Sequence, residues 1–301
     1  MNILIAGGSG MIGQRLSKVL TKKNHVVSWL SRKKNDNQTS YKQFLWDISS
    51  KKIDKECLNG TDVIINLAGE GIADERWTEK RKTMILNSRV ESVSLLYNLL
   101  KDNSNSVKKF ISSSAIGFYS DRGDELLNEN SSPANDFLGE CCQLWENEVM
   151  KIAELGISEV RIRTGVVLSN SGGALPKILA PAKLGFGAAL GSGKQWMSWI
   201  HIDDICGIYI FACENKEING AYNAATDSPE TNFNFTKKLC EIIRKPFWMP
   251  NVPPFALKLA FGEMSIVVLG STKVSVAKII QSGYKFQFPM LNTALINLLK
   301  K

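Results

Sequence analysis

Three groups of residues in this chain have the types and spacing that chemistry needs. The first is a glycine turn. Gly7, Gly10 and Gly13 stand three residues apart directly behind the apolar run 2–6, and Met11 and Ile12 open a stretch of helical apolar spacing. Such a turn binds a pyrophosphate. Gly7 bends the chain off a strand, Gly10 lets backbone approach the phosphates, and Gly13 lets the helix pack close to the sheet. The helix then offers its free N–H groups and positive dipole end to the anion. A second apolar run, 26–30, ends in Ser31 and Arg32, with Lys33 and Lys34 behind them. An NAD site usually carries an acid at that point for the ribose hydroxyls, and Asp36 comes too late to be it. A hydroxyl and a guanidinium suit the extra 2′-phosphate of NADP instead. NADP(H) is therefore expected over NAD(H), the alternative being a solvated basic turn.

The second group is Arg76, Trp77, Arg81 and Arg89, three cations and one aromatic plate within fourteen residues. Arg81 and Arg89 are eight apart and share a helix face. The set suits a phosphorylated or carboxylated substrate whose ring stacks on Trp77, although surface pairing with Glu75 and Glu79 accounts for it equally well. The third group is Gln195, Trp196, Trp199 and His201, a candidate second wall of a substrate pocket. His201 would titrate near neutrality, but beside Asp203 and Asp204 it reads more simply as the fixture of a strand-to-helix junction. Glu70 follows an apolar run and either accepts a proton or a substrate hydroxyl, or orders its own loop.

The elements that must position these groups follow from hydrophobic rhythm. Strands are expected at 2–6, 26–30, 43–45 with Asp47 just past it, 63–67 ending in Ala68 and Gly69, 109–112, and 160–167. Helices are expected from Met11, over 78–100 and over 137–155. Short strands alternating with helices of this length imply a doubly wound parallel sheet covered on both faces, a Rossmann-type α/β fold. Beyond Leu168 glycines and prolines punctuate loops around one helix. Residues 196–202 are strand-like and 204–213 helical. The chain divides into a dinucleotide-binding domain, 1–168, whose sheet is completed by parts of 196–225, and a remainder, 169–301, ending in a smaller, mostly helical lobe. Pro246, Pro250, Pro253 and Pro254 form the join, and Phe255, Leu257, Leu259, Ala260 and Phe261 are expected to seat that lobe on the rest.

The 301 residues carry a formal net charge of +8, which favours anionic ligands; the lysines are scattered, without the aromatic–basic platform of a nucleic-acid binder. Six cysteines without a CxxC pair, and only two histidines, argue against a metal site and for a reduced, cytoplasmic protein. The short opening apolar run does not read as a signal peptide, and no stretch approaches the roughly 20 apolar residues of a membrane span. An amphipathic contact with a surface stays open.

GGSGMIG (7–13), NLAGEGIADERW (66–77), NSRV (87–90), SSSAIGFY (112–119), DFLGECCQLWE (136–146), RTGVVLSNSGGAL (163–175), GSGKQWMSWIHIDD (191–204) and KLAFGEMS (258–265) together resemble the extended short-chain dehydrogenase/reductase superfamily, home of the nucleotide-sugar epimerases and dehydratases. The resemblance is closest to its atypical "epimerase family" branch, which carries a C-terminal extension of unassigned role, here about 246–295. It implies Asp47 near the adenine, Ala68 and Gly69 along the cofactor, Ser112 at the end of the fifth strand, and Ser114 as the hydroxyl facing the nicotinamide. It also implies a Tyr with a Lys four residues later for proton transfer. Here Phe137 stands for that Tyr and Cys141 for that Lys. Tyr119, in a loop over the site, Glu70 and Glu140 are the substitutes this leaves, Glu140 sharing a helix face with Phe137. The implied function is an NADP-dependent oxidoreductase or epimerase-like enzyme acting on a small polar or nucleotide-linked substrate, with a cofactor-binding sensor or scaffold as the alternative. Homodimers occur in the superfamily and are open here.

Overall fold

The computed structural model describes residues 1–33 and 40–300; Lys34 and Asp36 lie outside the described residues. In chain order the elements begin β1 (Asn2–Ala6), α1 (Met11–Lys22), β2 (Val26–Ser31), β3 (Lys42–Asp47), β4 (Lys52–Ile53), β5 (Val63–Asn66), α2 (Glu79–Asp102) and β6 (Lys109–Ala115). They continue with β7 (Leu126–Leu127), α3 (Phe137–Met150), β8 (Ser158–Thr164), β9 (Val166–Ser169), β10 (Gly172–Gly173) and α4 (Ala174–Lys183). Next come β11 (Trp196–Met197), β12 (Trp199–His201), α5 (Ile202–Glu214), β13 (Gly220–Ala224), β14 (Glu230–Thr231) and α6 (Asn232–Ile242). The chain closes with α7 (Pro254–Phe261), α8 (Ile266–Leu269), β15 (Lys273–Val274), α9 (Ala277–Gln281) and α10 (Leu291–Leu299).

The main sheet runs β13-β8-β6-β5-β1-β2-β3-β4. Every pairing in it is parallel except β3 with β4. All seven parallel strands therefore end at one edge, where a doubly wound sheet binds its ligand. β1 and β5 are apolar and buried on both faces because helices cover both. On one face α1 and α5 pack over Ile3, Ile5, Ile111 and Ile162; on the other α2 and α3 bring Leu96, Leu99, Trp145 and Val149 against Leu4, Ile64 and Phe110. The strand expected at 160–167 is two strands. Gly165 breaks it, its Cα so close to the next strand that an added Cβ would lie 2.4 Å from the Ser198 carbonyl oxygen. β8 stays in the main sheet, while β9 leaves it to pair with β10 and β12. Within 196–225 only β13 joins the main sheet; the strand-like 196–202 is split between two small sheets and the start of α5.

The C-terminal segment is strapped across the main body by polar contacts. Asp204, buried in the first turn of α5, accepts hydrogen bonds from the Gln287 and Phe288 amides at 2.7 and 2.9 Å and from the Tyr284 hydroxyl at 3.2 Å. His201 caps α5 itself, its Nδ1 accepting from the Asp203 amide, and its ring stacks on Phe288 at 3.9 Å. Asp204→Ala removes the acceptor of the Gln287 and Phe288 amides from a buried position, while Tyr284 keeps the residue's main-chain carbonyl at 2.9 Å. It is expected to cost about 3 kcal/mol in denaturant unfolding, and a loss under about 1 kcal/mol would contradict this anchoring role. The expected apolar seat is corrected. Of 255, 257 and 259–261 only Leu257 is buried; Phe255 and Leu259 are 73% and 78% exposed. The lobe is seated instead by later apolar residues, among them Val274, Val276, Ile279, Leu291 and Leu295, which join the main core, and by hydrogen bonds along 268–289.

Candidate cofactor and substrate site

The glycine turn has the shape a pyrophosphate requires. Gly7 adopts φ +80°, and a Cβ on it would lie 2.8 Å from the Leu67 carbonyl carbon; on Gly13 it would lie 2.4 Å from the Gly7 oxygen. Both positions therefore need glycine. Gly10 is the N-cap of α1 and supplies no side-chain cap, so the first N–H groups of the helix, from Met11 onward, face the carboxyl edge of the sheet without a side-chain acceptor. The Met11 thioether lies against Gly172 and Gly173. Gly8, which the spacing argument passed over, is also constrained: the Trp29 ring fills the place of a side chain, and its Nε1 donates to Ser17 at 2.8 Å.

Next to the turn, the end of β2 and the segment after β5 come together. Arg32, 79% exposed, pairs with Glu70 at 3.5 Å, and the buried Arg81 reaches the other Glu70 oxygen at 3.6 Å. Arg81 also donates to the Gly71 carbonyl, and Arg89 to the Glu70 carbonyl, both at 2.9 Å. The Arg89 guanidinium lies 3.3 Å from where a Gly69 side chain would begin, and burial pulls its pKa below the ordinary value. Ala68 donates its amide to Asn66. Asp47 ends β3 and accepts from the backbone and hydroxyls of Ser49 and Ser50, which holds its carboxyl at about 2. Ser31, Arg32, Glu70, Arg81 and Arg89 thus share one corner, on the β2 side where the adenosine half of a dinucleotide would lie.

At the end of β6, Ser114 is buried and donates to Glu146 of α3 at 2.7 Å; Ser112 donates to the Ser113 carbonyl. Glu146 is in turn gripped by Arg163, whose Nε and second terminal nitrogen reach its two oxygens at 2.8 Å each. Arg163 also donates to the Tyr119 hydroxyl at 2.8 Å, and that hydroxyl donates to Asn223 at 2.8 Å. Asn223 then donates to the Ser275 carbonyl of the C-terminal segment. Burial opposes the charge on Arg163, but Glu146 and Tyr119 hold its pKa above the ordinary value. Tyr119 lies in the turn after the 3-10 helix Ile116–Phe118, but it is fully buried, and burial raises its pKa. Nothing in the sequence marks Glu146 as the partner of Ser114, or Arg163 and Asn223 as members of the network behind it.

The face of α3 turned toward this strand end carries Leu138, Cys142 and Glu146 at four-residue spacing. Leu138 and Cys142 line Gly117, three residues past Ser114. Phe137 points elsewhere and meets Trp77 edge-on at 4.9 Å. Leu138 and Phe137 alike lack a hydroxyl. Glu140 is exposed in the first turn of α3, where its charge complements the helix dipole. A Tyr-x-x-x-Lys pattern does occur at Tyr97 and Lys101, but at the far end of α2, where Tyr97 donates to Glu154.

The two candidate walls are not brought into mutual contact; the C-terminal segment bridges them. Trp77 donates its ring N–H to the Ile72 carbonyl at 2.8 Å, Lys82 pairs with Glu263, and Gly262 sits beside Arg76. Farther along that segment, Gln195 donates to the Val268 carbonyl at 3.0 Å, and Trp196 donates its ring N–H to Asp124 under the Lys273 ammonium. All six cysteines are free and buried. Burial pushes Cys57, Cys142, Cys206 and Cys213 up to about 12 and raises Cys141 and Cys240. Cys57, Cys142, Cys206 and Cys213 are therefore expected to react with a disulfide reagent about a thousandfold more slowly in the native protein than after unfolding. Fast labelling of Cys142 would contradict that.

Residues 3–225 match the NAD dependent epimerase/dehydratase family, and residues 252–298 match a domain of unknown function, DUF1731. This chain belongs to the NAD dependent epimerase/dehydratase family. It is 36% identical over 300 residues to the epimerase family protein YfhF of Bacillus subtilis, covering 99% of this chain and 98% of that one. Human epimerase family protein SDR39U1, solved with NADPH, superposes with a TM-score of 0.89 at 29% identity over the whole of both chains. MoeE5, solved with UDP-glucuronic acid and NAD, has the same fold: TM-score 0.79 at 18% identity over 100% of this chain and 98% of that one. The chain is homologous to NAD(P)-dependent oxidoreductases and epimerases, and its expected C-terminal extension is the DUF1731 segment. The preference for NADP(H) over NAD(H) is corrected. MoeE5 and several UDP-sugar epimerases of this fold hold NAD. In this chain, moreover, Arg32 already has an anionic partner in Glu70, so its presence does not call for a 2′-phosphate.

Proposed function

We propose that this family member binds a nicotinamide dinucleotide, NAD(H) standing at least level with NADP(H), and acts on a polar, nucleotide-linked substrate without the Tyr–Lys pair of the wider superfamily. The observation that carries the reading is the glycine cradle, where Gly7 and Gly13 leave no room for a Cβ beside the uncapped N-terminus of α1. A dinucleotide held there supplies a hydride donor or acceptor at its nicotinamide ring. The backbones of Gly7, Gly10, Met11, Ile12 and Gly13 hold its pyrophosphate. Ser31, Arg32, Asp47, Ala68 and Gly69 surround the adenosine half, with Ser112 farther along. Glu70, paired to Arg32, fits a ribose-hydroxyl acceptor better than a proton-transfer group. Ser114 has its own proton engaged by Glu146, so it accepts a hydrogen bond from a substrate hydroxyl and orients it, with Tyr119 as a positioning residue behind it.

Trp77 fits a ring-bearing substrate, and Gln195 with Trp196 forms a second wall beyond the bridging C-terminal segment. Arg81 and Arg89, engaged with Glu70 and its carbonyl, stay with the adenosine corner, and Glu140 stays exposed on α3. Buried Arg81 Nε and Gln195 Oε1 lack a hydrogen-bond partner, which supports a ligand at that corner and at the second wall. MoeE5 holds a nucleotide sugar, and that makes UDP-sugars the first compounds to try. Incubation with NAD(H) or NADP(H) and a panel of nucleotide sugars, read by NMR, should yield a keto or epimerised product. The absence of the Tyr–Lys pair from α3 favours one other reading, a cofactor-binding protein without turnover. Tight cofactor binding with no hydride exchange on any compound would establish that second reading and refute the first.

A further inference from the structure

We infer that the face formed by α7 and the loops beside it docks on an anionic lipid bilayer. Residues 242–262 hold Arg244, Lys245 and Lys258 and no acid; residues 174–202 hold Lys177, Lys183 and Lys194 and no acid either. All six cations are exposed. Lys183, Lys194, Arg244, Lys245 and Lys258 form no ion pair with any of the described residues. The fold lays the two stretches side by side. Val252 donates its amide to the Ala189 carbonyl and Gly191 its amide to the Val252 carbonyl, each at 2.8 Å. Gly187 abuts Cys240, whose carbonyl accepts from the Lys245 amide.

Between the cations stand large apolar side chains that the protein leaves exposed: Leu184 is 75% exposed, Phe186 57%, Trp248 68%, Phe255 73%, Leu259 78% and Phe261 37%. An apolar face carrying six exposed cations, with the acids Glu241 and Glu263 only at its edges, is complementary to a surface that is itself apolar beneath a negative layer. An acidic-lipid interface is such a surface, with aromatic rings at headgroup depth and ammonium groups among the phosphates. Among the described residues no helix is long and apolar enough to cross a membrane, so the contact is peripheral.

Flotation of the full chain with vesicles tests this independently of any activity. Wild type should bind vesicles of phosphatidylcholine and phosphatidylglycerol in equal parts, and bind phosphatidylcholine alone far less. Lys245→Glu and Lys258→Glu should each weaken binding at least about fivefold, and raised salt should release the protein. Phe255→Ser with Leu259→Ser should lose roughly tenfold or more, with an unchanged circular dichroism spectrum because both residues are exposed. No binding by wild type, or equal binding by the double variant, would overturn the inference. So would a lipid-free dimer, seen by sedimentation, that the double variant dissolves, since the face would then cover a second copy.

Discussion

Glu146→Ala is expected to destabilise the protein by about 3–5 kcal/mol, because it strands a buried guanidinium. Glu146 and Arg163 are 3% and 4% exposed, and the carboxylate satisfies two Arg163 nitrogens and the Ser114 hydroxyl at once. Removing it leaves Arg163 with the Tyr119 hydroxyl, the Glu129 carbonyl and the Phe118 ring, but no anion bonded to it, in a poorly solvated place. Glu146→Gln keeps an acceptor but loses the charge, so it should fall between wild type and alanine. Denaturant titration reads both; a loss under about 1 kcal/mol for alanine would show that the pair adds little. The same variants bear on the site. If Glu146 fixes Ser114, then Glu146→Gln, where it folds, should weaken substrate handling while cofactor affinity stays near wild type.

Gly13→Ala should cost at least about 100-fold in dinucleotide affinity, since its methyl group would need the space of the Gly7 carbonyl and would push α1 off the turn. A cost in stability of about 1–3 kcal/mol should accompany it. Gly10→Ala separates the two effects. A Cβ there meets only the Gly7 oxygen at 3.3 Å, so the fold should survive, while the backbone approach that a pyrophosphate needs is blocked. Calorimetric titration of both variants checks this. Wild-type affinity in Gly13→Ala would mean that the cofactor does not use the turn.

What could be read from the chain alone is what repeats along it or is forced by local geometry. The glycine turn and the parallel strands were legible because a buried parallel strand is an unbroken apolar run and a Rossmann turn has no room for side chains. The Gly165 break was not, since its cause is the Ser198 carbonyl, thirty-three residues on. Arg163 gave no sign of its role either. It lies mid-strand, and only folding sets it opposite Glu146 and beneath Tyr119. The cofactor preference failed for a related reason: the chain displays Arg32 but not the Glu70 carboxylate that comes to rest against it. The apolar run 255–261 was read as a seat because apolar residues are usually buried, but that rule runs one way only, and an exposed apolar helix is the informative case.

The central claim is that a nicotinamide dinucleotide occupies the turn between β1 and α1, and direct titration tests it. Calorimetry of the purified chain with NADH and, separately, NADPH should give saturable binding of at least one of them at one site per chain. That binding should disappear in Gly13→Ala while the folded spectrum is retained. Absence of binding for both dinucleotides, reduced and oxidised, would contradict the account.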